Sequence, residues 1–135
     1  KNNCSRSMIA LHKKYKSSII ASKKVSKNNV SRWGILDVRK MNGRNFIIQD
    51  VIEKPKTKKA PSRYAVIGRY ILPKKIFKIL KKQKPGRNGE VHITDSIKAL
   101  ILCQNKFIGH IFKGKYLDCG SMSGYINSTL EISKL

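Results

Sequence analysis

YAVIGRYILPKKIFKILKKQKPG, residues 64–86, reads as two different elements joined at a proline. Residues 64–72 are rich in Val, Ile and Tyr, the side chains that suit a pleated surface, and make the longest strand candidate in the chain. Pro73 has a fixed φ and no N–H, so it suits the first turn of a helix. Beyond it Ile76, Phe77 and Leu80 recur on one helical face, with Lys74, Lys75, Lys78, Lys81 and Lys82 mostly elsewhere. Pro85-Gly86 stops that helix.

The same alternation extends in both directions. Upstream, Met8 to Leu11 is the apolar part of a short helix, and Ser17 to Ala21 is a buried strand. Ser22 to Ser31 is polar and basic, an expected exposed loop. Trp33 to Val38 is a strand whose Gly34 implies close backbone approach, and Met41-Asn42-Gly43-Arg44 is a hairpin signal. Phe46 to Ile52 is the return strand, closed by Glu53-Lys54-Pro55, and Lys56 to Arg63 is a basic loop. Downstream, Thr94 is expected to cap a helix running from Asp95 to about Gln104, with Asp95 suited to its dipole. Phe107 to Phe112 is a strand containing Gly109, and Lys115 to Cys119 is a short extended piece. Ser121 or Ser123 caps a last helix with Ile126, Leu130 and Ile132 apolar. Interleaved strands and helices make the class α/β, a mixed sheet flanked by helices, in one domain over residues 1–135.

Composition narrows the classes. The chain carries 30 Lys+Arg against 7 Asp+Glu, a formal charge of +23 over 135 residues. An apolar fraction of 40% is too high for a disordered tail. No run of eighteen apolar residues spans a membrane, and the first residues lack the apolar core of a signal peptide. Cys4, Cys103 and Cys119 are odd in number and widely spaced, which points to free thiols in a reducing, cytoplasmic compartment. Cys103 lies on an apolar helix face and is expected to pack as a core thiol. The charge suits non-specific nucleic-acid binding, yet the lysines are dispersed and no zinc-finger, basic-zipper or aromatic RNA-binding signature accompanies them.

Two short motifs carry chemistry. Glu53-Lys54 sets an acceptor-only carboxylate beside an ammonium, a pair suited to a ligand with hydroxyls and a phosphate. The plainer account is a strand-end ion pair in a lysine-rich chain. Asp118-Cys119-Gly120 offers one carboxylate, enough for Mg²⁺ shared with substrate phosphates, or simply a turn cap. His12, His92 and His110 are scattered and no Cys-x-x-Cys occurs, so a zinc site is not expected. There is no G-x-S-x-G elbow, and the glycines form no phosphate loop.

Five segments, in order, resemble the C-terminal half of bacterial UTP–glucose-1-phosphate uridylyltransferases: SSIIASKKVSKNNVSRWGILD (17–37), VIEKP (51–55), APSRYAVIGRYIL (60–72), GEVHITDSI (89–97) and DCGSMSGY (118–125). The resemblance runs from about Cys4 to about Leu130. It implies the C-terminal portion of a Rossmann-like nucleotidyltransferase domain. It also implies an Mg²⁺-dependent reaction of UTP with glucose 1-phosphate, giving UDP-glucose and pyrophosphate. By resemblance, Gly34 lets the backbone approach the sugar, Glu53 accepts from sugar hydroxyls, and Lys54 holds the sugar phosphate and is the catalytic residue. Val66 and Tyr70 line the sugar pocket, Asp118 stands near the metal, and Thr94 and Asp95 are structural.

The family's Gly-rich loop, its first metal carboxylate and its uracil-reading residues have no counterpart in these residues, and by resemblance they belong before Lys1. This chain by itself is therefore expected not to catalyse, and the complete protein to form a homo-oligomer. Lys23-Lys24 stands where relatives usually carry acids. The alternative is a non-catalytic basic module that binds polyanions.

Overall fold

The computed structural model describes residues 3–86 and 89–134. Helix α1 (Cys4–Tyr15) precedes strands β1 (Ser18–Lys24), β2 (Gly34–Asn42), β3 (Asn45–Glu53) and β4 (Tyr64–Ile71); helices α2 (Ile76–Lys82) and α3 (Ile93–Leu102), strand β5 (Phe107–Ile111) and helix α4 (Met122–Ile132) follow. β2 and β3 form a hairpin whose turn uses Gly43 at φ +59°, the conformation the Asn-Gly signal demands. β1 pairs antiparallel with β4 and parallel with β5. The hairpin closes the ring: Ile35 of β2 meets Ala65 of β4, while the first residues of β3 meet β5. A register shift between Asp37 and Val38 lets one hairpin serve both neighbours, since a bulge bends the pair. The sheet is mixed, as expected.

The main core lies between β3 and α3, where Phe46, Ile48 and Val51 pack with Ile97, Leu100 and Phe107. A second cluster joins Cys4 and Met8 of α1 to Ile19, Ala21 and Ile67. A third holds Val25, Val30, Ile35 and Ala65 under Trp33.

Several local expectations are corrected. The segment 22–31 is not simply an exposed loop. β1 continues to Lys24 and a 3-10 helix spans Lys27–Arg32; Val30 is buried in the third cluster, and Ser22 is buried between β4 and β5, its hydroxyl donating to His110 O. The basic loop after β3 contains a 3-10 turn, Thr57–Lys59. β2 and β3, at 9 residues each, exceed β4 at 8. Phe77 is 65% exposed, and Ile79 and Leu80 pack with Ile76 instead. Cys103 is exposed, because α3 ends at Leu102 and the thiol falls on its cap. Residues 115–119 are irregular, not extended in a strand. Ser121 caps α4 as expected, accepting the Gly124 N–H at 3.1 Å, but Ile126, Leu130 and Ile132 of that helix are more than half exposed.

Candidate functional site

The ends of three strands and the start of α3 converge on one corner. Gly34 opens β2 directly opposite Glu53, which closes β3. A Cβ at residue 34 would stand 2.9 Å from Thr94 Cγ2 and 3.0 Å from Glu53 Oε2, so only glycine leaves room for that carboxylate. Thr94 Oγ1 donates to Glu53 Oε2 at 2.9 Å from a side chain that is 4% exposed. Thr94 is therefore no helix cap: α3 starts at Ile93 with His92 at the cap position, and the threonine hydroxyl is spent on Glu53. Gly34, Glu53 and Thr94 line a cleft of about 220 Å³ with Val66 and Tyr70 of β4. Burial first, then the nearby Glu53 and Tyr116, push the Tyr70 phenol up to about 12, so it stays protonated and able to donate. The cleft thus offers one carboxylate acceptor, one phenol donor and an open stretch of backbone, a set that recognises hydroxyl groups.

Lys54 lines neither this cleft nor the next. It follows Glu53 in a left-handed conformation, φ +42°, that turns the chain out of the sheet, with its peptide N–H donating to Trp33 O at 3.0 Å. Its side chain is exposed. The strained backbone beside the site carboxylate is a place where such conformations concentrate.

A second cleft of about 420 Å³ shares Arg32 and Trp33 with the first and contains Lys23, Lys24, Asp118, Ser121 and Ser123. The Lys23 ammonium lies 4.3 Å from the Trp33 ring centre and 4.0 Å from that of Tyr116. The two rings meet edge to face at 5.4 Å. Burial lowers the Lys23 pKa; Asp118 opposes that and Arg32 adds to it. Asp118 Oδ1 accepts the Gly120 N–H at 3.1 Å, which orients the carboxylate.

Thus Gly34, Glu53, Val66 and Tyr70 come together, Asp118 stands in the adjoining cleft, and Lys54 is at the edge. Arg32, Trp33, Lys23, Tyr116 and the true role of Thr94 escape a sequence reading. Thr94 and Glu53 are 41 positions apart, and no local pattern links a threonine to a carboxylate at that separation. Among the described residues no three His, Cys, Asp or Glu side chains cluster as a metal site. Asp118 alone fits the mode in which a hard divalent ion keeps waters and shares substrate phosphates with one carboxylate.

Residues 3–134 match the nucleotidyl transferase family. The chain belongs to that family. It is 36% identical over 126 residues to the UTP–glucose-1-phosphate uridylyltransferase of Pseudomonas aeruginosa, covering 92% of this chain and 44% of the relative. It is also 36% identical over 128 residues to the Bacillus subtilis protein of the same name, covering 95% and 44%. A solved UDP-glucose pyrophosphorylase complexed with UDP-glucose superposes with a TM-score of 0.89 at 40% identity, covering 96% of this chain and 48% of that one. A UTP-bound structure from Acinetobacter baumannii gives 0.78 at 30%, covering 93% and 42%. This nucleotidyl transferase chain spans less than half the length of those relatives. Enzymes of this kind generally use a divalent metal. No helix among the described residues is long and apolar enough to cross a membrane.

Proposed function

We propose that this chain forms the sugar-phosphate side of a UTP–glucose-1-phosphate uridylyltransferase. The observation that carries the reading is the Gly34–Glu53–Thr94 corner, where a missing Cβ and a buried hydroxyl together hold one carboxylate at the mouth of a cleft. Glu53 accepts from glucose hydroxyls and Tyr70 donates to them, with Val66 against the ring. In the reaction a phosphate oxygen of glucose 1-phosphate bonds to the α-phosphorus of UTP. The bond from that phosphorus to the β-phosphate oxygen breaks, and pyrophosphate leaves with the electron pair. No protein nucleophile is required, so the contribution of these residues is placement and charge compensation. Asp118 is the residue here that would hold Mg²⁺, which when bound neutralises phosphate charge. Lys54, on the turn leaving β3, reaches the sugar phosphate from the edge of the cleft. In the complete protein we expect a homo-oligomer in the cytoplasm.

Calorimetric titration of the chain with glucose 1-phosphate tests this reading. Saturable binding that falls at least tenfold in Glu53→Gln is expected. Equal heats for the variant and the wild type would remove the reading and favour a basic module that holds polyanions through charge alone.

A further inference from the structure

The cleft beside the sugar corner holds more positive charge than its carboxylate can offset. Lys23, Lys24 and Arg32 line it together with Asp118 as the sole acid. Lys23 differs from a solvated surface lysine. Its ammonium is fixed between two rings, at 4.3 Å from Trp33 and 4.0 Å from Tyr116, and the rings brace each other at 5.4 Å. Trp33 precedes β2 and Tyr116 follows β5, so the clamp exists only once the strands are in place. A free lysine side chain loses up to ~2 kcal/mol of rotamer freedom when ordered. Here that ordering is complete before any ligand arrives, which is what preorganisation for binding means. Aromatic faces offset the charge but offer no oxygen. Among the described residues Lys23 Nζ makes no hydrogen bond or ion pair to a protein oxygen, so its N–H donors are open to an anion. Ser121 and Ser123 add hydroxyls to the same lining.

We propose that Lys23, clamped between Trp33 and Tyr116, is a further cationic contact for the phosphate of the ligand whose sugar occupies the first cleft. The inference rests on the sugar-phosphate reading above and adds to it a residue that reading did not contain. Arg32 and Trp33 line both clefts, so a single sugar phosphate can span them.

The test is calorimetric titration of the chain at roughly 150 mM salt, where long-range charge effects are largely screened. The probes are glucose 1-phosphate, glucose and inorganic pyrophosphate. Trp33 is the only tryptophan in the chain, so its emission gives a second, local readout. Lys23→Met is expected to weaken glucose 1-phosphate binding at least tenfold and leave glucose unchanged. Lys23→Arg should retain most of the affinity, and Lys74→Met, at an exposed lysine that lines neither cleft, all of it. Lys23→Gln takes the place of Lys23→Met if the latter gives no cooperative melt. Unchanged binding in Lys23→Met, with Glu53→Gln still impaired, overturns the inference and leaves the sugar reading standing. Equal losses in Lys23→Met and Lys74→Met overturn it in favour of diffuse charge. Binding of pyrophosphate without glucose 1-phosphate overturns it by assigning the cleft to a free diphosphate. A wild-type chain that takes up neither overturns the inference and the reading beneath it.

Discussion

Gly34→Ala tests the corner most directly. The new Cβ would lie 2.9 Å from Thr94 Cγ2 and 3.0 Å from Glu53 Oε2. Ordinary contact begins near 3.4 Å, so each neighbour must give by about half an ångström. Thr94 is poorly placed to yield, because it is 4% exposed and α3 is pinned by Ile97 and Leu100 at 0% and 1%. Glu53, partly exposed at the strand end, is the group that swings away, and the 2.9 Å bond from Thr94 breaks. A hydrogen bond to a charged acceptor contributes about 1.5–3 kcal/mol. If Glu53 is the sugar acceptor, its displacement costs glucose 1-phosphate binding at a tenfold change per 1.4 kcal/mol, hence roughly 10- to 100-fold. The melting temperature should fall by roughly 5–15 °C, the shift that the loss of such a bond gives in a chain of this size, while the chain still unfolds cooperatively. The assay pairs calorimetric titration with thermal unfolding of the same preparation. Wild-type affinity in a folded Gly34→Ala chain would show that the carboxylate position is irrelevant to the ligand and refute the argument.

Three further outcomes are expected. In the complete protein, Lys54→Ala should lower kcat/KM for glucose 1-phosphate by more than tenfold with little change in melting temperature; an unaffected kcat/KM would leave Lys54 as a strand-end charge. Gly109→Ala should destabilise the chain by about 1–3 kcal/mol in urea unfolding, because the added carbon meets the ring of Phe46, its 2% exposed cross-strand partner. A neutral result there would mean the β3–β5 seam is looser than described. Burial, then the nearby Arg44, lowers the His110 pKa below its usual 6.5, so the folded state prefers the neutral ring. Its contribution is present in full above about pH 6.5 and is lost as pH falls through the folded-state value, so stability should decline there and decline less in His110→Gln. Identical pH profiles for the two proteins would reject that assignment.

Part of this protein is written locally. The Asn42-Gly43 turn and the Ser121 cap each follow from the φ or acceptor chemistry of one or two residues, and the structure contains both; Pro73 separates β4 from α2 but stands before the helix, which starts at Ile76, and not in its first turn. The glycine in the strand at Gly34 and the Glu53-Lys54-Pro55 strand end were legible for the same reason, and the ordered motifs pointed to the family. Errors arose where burial depends on what lies across the fold. Val30 and Ser22 sit in a polar-looking stretch yet are covered, and Phe77 and Cys103 look like core side chains yet are exposed. The sequence by itself determined the types of the main helices and strands, the mixed class and the residues able to accept, donate or carry charge. Only the tertiary structure decided that Thr94 serves Glu53 instead of its own helix, and that Lys23 is held between Trp33 and Tyr116. Glu53 and Thr94 are 41 positions apart, and Lys23 meets one ring from its own neighbourhood and another from beyond β5, so no local periodicity encodes contacts that exist only after the sheet has closed.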